Sequence, residues 1–95
     1  MSLDDLFYKM KQRHPGISEH IWQTLLNAKC TSPATSITLS QIRAGYYDIT
    51  EERFPRMGDP RTEMLFLLSI PFIASFSNRV GTIRFYIIED PELSY

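Results

Sequence analysis

Few residues of this 95-residue chain have the types and spacing that catalysis or metal binding requires. The candidate ligands and nucleophiles are His14, His20 and Cys30, and they form no C-x-x-C or H-x-x-x-H pair. A structural zinc site needs about four such ligands, so we expect no metal. Cys30 closes an apolar stretch, where a cysteine is more simply a small hydrophobe than a nucleophile. The sequence therefore predicts no metal site and no thiol active site.

Acid–base catalysis and phosphate-loop chemistry have equally little support. Glu51 and Glu52 are adjacent at the expected start of a helix, where they point in different directions and form a poor acid–base pair. The four glycines, at positions 16, 45, 58 and 81, are isolated from one another, so no glycine-rich phosphate loop is present. We predict a protein that is not an enzyme and has no cofactor.

Composition predicts one small globular domain over residues 1–95, with 91–95 as a loose tail. Apolar residues make up 43% of the chain and aromatic residues 13%, enough for one core, and the net charge is −1. A single cysteine rules out an internal disulfide. The N-terminus has no basic and apolar leader, and the longest apolar run is too short to span a bilayer. These features predict a cytoplasmic protein that does not bind a membrane.

The stretch from Asp59 to Asp90 is predicted to form the centre of the fold. Asp59 and Pro60 are suited to begin a helix over 60–70, which Pro71 ends. Strands over 72–77 and 82–88 then form a hairpin around the loop 78–81, which ends in a glycine. Helix apolarity and strand alternation predict a core that contains Leu25, Leu65, Leu68, Phe76, Ile83 and Phe85.

The N-terminal half predicts four helices. Apolar spacing favours a helix over 3–14, and Ser18 is the expected cap of a second helix over 18–29. Thr38 and Gln41 have the spacing of a capping box that begins a short helix over 39–44, with Gly45 as its left-handed end. A further short helix is expected over 49–57. Trp22 is predicted at the core edge with its N–H bonded to a polar partner. The fold class is thus α+β, a helical N-terminal half followed by a β-hairpin.

This order of elements resembles the architecture of a winged helix. The resemblance implies that a helix enters the major groove of double-stranded DNA and that the hairpin contacts the backbone. All ten basic residues lie between Leu6 and Ile88, together with only six of the eleven acids, which permits a polyanionic partner. The first hypothesis is a small DNA-binding regulatory protein, with contacts from Arg79 and Arg84 on the hairpin and Arg53 and Arg56 on the helix over 49–57.

The second hypothesis is a non-enzymatic protein-interaction module, acting as an adaptor, a subunit or a homodimer. It predicts an aromatic surface at Tyr46 and Tyr47 and an open strand edge that a partner can pair with. Two features weigh against DNA: the helix over 60–70 offers few polar residues, and Glu51 and Glu52 would repel phosphates. The sequence leaves both hypotheses open.

Overall fold

The computed structural model describes residues 2–88, so the predicted tail at 91–95 lies outside the described residues. The described part is a small α+β fold, with helices in the N-terminal part and a three-stranded antiparallel sheet. The elements are α1 (Leu3–Arg13), α2 (Ile17–Asn27), a 3₁₀ turn (Pro33–Thr35), β1 (Ile37–Thr38), α3 (Leu39–Thr50), α4 (Pro60–Leu68), β2 (Ile73–Ser77) and β3 (Ile83–Ile87). No helix within residues 2–88 has the length and apolarity to cross a membrane.

The helix starts follow local capping chemistry, with one exception. Asp59 accepts the backbone N–H of Thr62 at 2.8 Å, which confirms the predicted cap of α4. The capping box of α3 is also confirmed, because the N–H of Thr38 donates to Gln41 Oε1 at 2.8 Å and the N–H of Gln41 donates to Thr38 Oγ1. The predicted cap Ser18 is wrong. The cap of α2 is Gly16, whose φ of 82° is left-handed.

Helix α3 is twice as long as the segment predicted for it. It passes through Gly45 and ends at Thr50, where Glu51 takes the left-handed conformation with a φ of 60°. The predicted helix end at Gly45 is wrong because this glycine serves packing. A Cβ built on Gly45 would lie 2.6 Å from Cγ2 of Thr24 on α2, so the missing side chain lets the two helices approach closely.

The sheet contains a strand that the sequence did not predict. Strand β1 pairs with β3, with Ile37 opposite Phe85 and Thr38 opposite Arg84. The strand order is β1-β3-β2, so β2 is an edge strand. The predicted hairpin is confirmed, with Ser75 opposite Phe85. Strand β1 has only two residues, too few for any alternation of side chains to be visible in the sequence.

The core contains only two of the six predicted residues. Leu25 and Phe85 are fully buried, whereas Leu65, Leu68, Phe76 and Ile83 are each about two-fifths exposed. The prediction placed the wrong face of α4 in the core, because the helix buries Glu63, Phe66 and Leu67 instead. The prediction for Phe76 was wrong because this side chain is on the sheet face opposite Phe85. Ile83 shares the face of Phe85 but lies next to the hairpin loop, where it pairs with Ser77.

Trp22 also departs from expectation. Its ring packs against the core, but its indole Nε1 is buried without a hydrogen-bond partner. A buried N–H without a partner costs about 1–3 kcal/mol. Trp22 therefore contributes its apolar ring to the fold and no hydrogen bond.

Candidate functional site: an arginine cleft and an apolar groove

Arg53 and Arg56 lie on an ordered loop, not on a helix. The predicted helix over 49–57 is wrong, since α3 already includes Ile49 and Thr50 and no further helix forms before Pro60. The sequence from Arg53 to Met57 alternates in exposure: Phe54, Pro55 and Met57 are buried, and both arginines are exposed. The apolar residues attach the loop to the core, so the backbone that carries both arginines is fixed.

The two arginines share a cleft of about 510 Å³ between α3, the loop and the start of α4. Its lining residues are Arg43, Ala44, Tyr47, Arg53, Phe54, Arg56, Gly58, Asp59, Pro60 and Glu63. Three guanidinium groups and two carboxylates therefore surround one concave space. The sequence predicted Arg53, Arg56 and Tyr47 for two different surfaces, and the fold brings them to the same one.

An ion pair between a partly exposed arginine and a buried glutamate lies in this cleft. Arg43 donates to Oε1 of Glu63 through Nε, at 3.1 Å, and through Nη2. The Glu63 side chain is 5% exposed and that of Arg43 is 41% exposed. Burying a carboxylate is costly unless it is paired, so Arg43 is the group that makes Glu63 tolerable at this position. Sequence reasoning missed the pair because Arg43 and Glu63 are twenty positions apart, and only the α3–α4 packing shows their contact.

Tyr46 and Tyr47 lie on different faces of α3. Tyr47 is 53% exposed at the cleft, whereas Tyr46 is buried. The ring of Tyr46 packs edge-on against Phe54 at 5.3 Å and against His20 at 6.0 Å. Burial, with a smaller effect of the Glu52 charge, raises the pKa of Tyr46. The predicted Tyr46–Tyr47 surface therefore reduces to Tyr47, because adjacent helical residues face different directions.

The two hairpin arginines differ in exposure and in hydrogen bonding. Arg79 is exposed in the loop between β2 and β3. Arg84 is half-buried and donates from Nη1 to the backbone carbonyl of Ser36 at 2.9 Å. Arg84 thus ties β3 to the segment before β1. Of the predicted pair, Arg79 is the one whose side chain is exposed to a partner.

A second concave surface lies between α4 and the hairpin. This apolar groove has a volume of about 440 Å³ and is lined by Arg61, Met64, Leu65, Leu68, Ser75, Ser77, Gly81 and Ile83. Leu65, Leu68 and Ile83 are 38%, 41% and 40% exposed. Exposed apolar side chains that share one groove are typical of an interaction surface.

The groove adjoins the free edge of β2. Asn78 donates its N–H to the carbonyl of Thr82, and Ile88 donates to the carbonyl of Phe72. In an antiparallel pair, the N–H and C=O groups of every second residue point toward the neighbouring strand. The backbone groups of Ala74 and Phe76 therefore also point toward β3. The backbone groups of Ser75 and Ser77 then face away from the sheet. Strand β2 (IASFS) has no charged residue and no proline, the usual protections of an edge.

The residues first considered for chemistry are dispersed. Cys30 is fully buried, and burial raises the pKa of its thiol, so the reactive thiolate is disfavoured. No group of three or more His, Cys, Asp or Glu residues within the described part of the chain is placed to hold a metal ion.

Comparison with known proteins does not assign this chain to a family. No protein-family model matches it, and no curated protein sequence is significantly similar to it.

Proposed function

We propose that this protein is a protein-interaction module that pairs with a second copy of itself through the edge of β2 and the apolar groove. The observation that carries the proposal is the coincidence of the two features. The same strand that leaves the backbone groups of Ser75 and Ser77 unpaired borders the exposed Leu65, Leu68 and Ile83. A strand added to this edge would hydrogen-bond to the unpaired backbone groups and would cover the three exposed apolar side chains.

The side chains of β2 suit a twofold antiparallel pairing centred on Ser75. In that register Ser75 lies opposite Ser75 of the second copy, and Ile73 lies opposite Ser77. On the other face Phe76, which is 42% exposed, lies opposite the small Ala74. A strand without charges brings no like charges together when it meets its own copy. Such a symmetric interface closes on itself and gives a dimer.

The experiment is a measurement of mass by light scattering as a function of concentration. We expect a dimer for the wild type. Ser75→Lys and Leu68→Lys should both be monomeric, because each places a charge in the interface. Tyr8→Lys is the matched control, since Tyr8 is 65% exposed on α1 and should leave the dimer intact. A wild type that stays monomeric at millimolar concentration would contradict the proposal, and so would dimers that both groove variants leave unchanged.

DNA binding is the second candidate, and the observations in its favour are the element order and three exposed arginines. Helix α2, strand β1, helices α3 and α4 and the hairpin follow the order of a winged helix. Arg53, Arg56 and Arg79 are all exposed. Helix α4, which would enter the groove, is less suited, because its exposed residues include Leu65 and Leu68 and only one arginine, Arg61.

The DNA candidate is tested by binding to a random duplex at several salt concentrations. If it holds, Arg79→Ala should lower the slope of log-affinity against log-salt by about 1 without changing sequence preference. Arg84 is a poor test position because its loss also removes the bond to Ser36. Absence of salt-dependent binding would eliminate this candidate and leave the dimer proposal unaffected.

A further inference from the structure

The arginine cleft has a chemistry of its own, separate from the groove and the strand edge. Its two carboxylates are already engaged, since Glu63 binds Arg43 and Asp59 caps the N–H of Thr62. No acid within residues 2–88 forms a salt bridge with Arg53 or Arg56. Arg53 and Arg56 are therefore two guanidinium groups of the cleft without an ion-pair partner among the described residues.

The backbone that carries these two arginines is anchored before any ligand arrives. Phe54 is 6% exposed and packs edge-on against the buried Tyr46, and Met57 is also 6% exposed. Arg56 thus lies between buried residues and Arg53 directly precedes one, so the backbone of both arginines is attached to the core. Anchoring lowers the ordering cost of binding and favours a site that binds one ligand geometry.

The shape and lining of the cleft indicate the class of ligand. A volume of about 510 Å³ is within the range of small-molecule sites. Guanidinium groups match the oxygens of phosphate in charge and geometry, and the three arginines outnumber the two carboxylates of the lining, which leaves the cleft net positive. The exposed ring of Tyr47 adds a flat apolar wall beside them. Asp59 already accepts the N–H of Thr62 at the start of α4, so the arginines and not the helix end must provide the attraction.

We propose that this cleft binds a small phosphate monoester that carries a planar ring, of the nucleoside monophosphate class. Arg53 and Arg56 bind the phosphate, and Tyr47 packs against the ring. Arg43 stays paired with Glu63 and is not assigned to the phosphate. The proposal does not depend on dimer formation, because none of these residues belongs to β2 or to the groove.

The test is calorimetric titration with adenosine 5′-monophosphate, with inorganic phosphate and adenosine as separate probes. Loss of a charge-assisted hydrogen bond should weaken binding about tenfold or more, so we expect that loss for Arg53→Gln and for Arg56→Gln. Tyr47→Ala should weaken the nucleotide and leave inorganic phosphate unchanged. Arg79→Gln is the matched control, an exposed arginine outside the cleft, and should bind as the wild type does.

Three results would overturn the proposal. The first is no binding of the nucleotide at millimolar concentration by a wild type whose circular dichroism shows it folded. The second is equal weakening by Arg79→Gln, which would indicate a diffuse charge effect. The third is an oligonucleotide that binds through Arg53 and Arg56 far more tightly than the mononucleotide, which would assign the cleft to nucleic acid. The monomeric Ser75→Lys variant should bind the nucleotide like the wild type, which separates this test from that of the dimer.

Discussion

Thr24 on α2 and Gly45 on α3 pack so closely that a Cβ on Gly45 would lie 2.6 Å from Cγ2 of Thr24. Thr24 is buried, and its hydroxyl donates to the carbonyl of His20 at 2.8 Å, so its methyl group has little freedom to move. The crossing of α2 and α3 therefore depends on a residue without a side chain. The same crossing places Tyr46 against His20 and leaves Tyr47 on the outside at the cleft.

Gly45→Ala should destabilise the protein although alanine is the better helix former. Alanine gains about 1 kcal/mol in helix propensity, but overpacking at this crossing costs about 1–3 kcal/mol. In a Thr24→Ser background, which removes Cγ2 and keeps the hydroxyl, Gly45→Ala should become neutral or stabilising. Urea unfolding of the four proteins measures the coupling. Equal effects of Gly45→Ala in both backgrounds would show that this contact does not limit the helix approach.

The neighbours Leu67 and Leu68 should respond very differently to truncation. Leu67 is fully buried and Leu68 is 41% exposed. In the monomeric Ser75→Lys background, Leu67→Ala should lower the free energy of unfolding by about 2–5 kcal/mol. Leu68→Ala should lower it by about 1 kcal/mol or less. Urea denaturation checks both, and a larger effect at Leu68 would mean that the buried face of α4 is wrongly assigned.

How far the sequence predicts this fold depends on whether the signal is local. The caps of α3 and α4 and the hairpin were predicted, since each depends on residues a few positions apart. Leu65 and Leu68 were placed in the core because α4 is apolar on almost every side, and a helix of this kind gives no preferred face. The burial of the Glu63 carboxylate, which marks the inward face of α4, could not be predicted because it depends on pairing with Arg43 of another helix. The arginine cleft was equally hidden, since Arg53 and Arg56 were predicted on a helix that does not form.

Cys30 should be chemically silent in the native protein. The thiol is fully buried, and burial raises its pKa, so little thiolate is present and none of it is accessible. We expect iodoacetamide at mildly alkaline pH to label Cys30 only after unfolding in urea, as followed by mass spectrometry. Rapid labelling of the folded protein would contradict this and would restore a nucleophilic role for Cys30.

Asp59 should make the start of α4 sensitive to acid. The backbone N–H of Thr62, which donates to the carboxylate, holds the pKa of Asp59 below its ordinary value. A carboxyl with a lowered folded-state pKa contributes stability above its unfolded pKa of about 3.9, and this contribution is lost as the pH falls through the folded value. Asp59→Asn can still accept the bond and does not titrate. The melting temperature of the wild type should therefore fall more than that of Asp59→Asn between about pH 5 and pH 2.5. Parallel curves would show that the cap carries no pH dependence.

The proposed pairing of two copies of this chain through β2 and the apolar groove can be measured at two amides by hydrogen exchange. In the monomer the N–H groups of Ser75 and Ser77 face solvent, whereas in the dimer they are bonded to the second copy. We predict that these two amides are protected in the wild type at a concentration where light scattering shows a dimer, and that Leu68→Lys removes the protection of Ser77 and Ser75 together with the dimer mass. A dimer in which both amides exchange as fast as in the Leu68→Lys monomer would contradict pairing through the edge of β2.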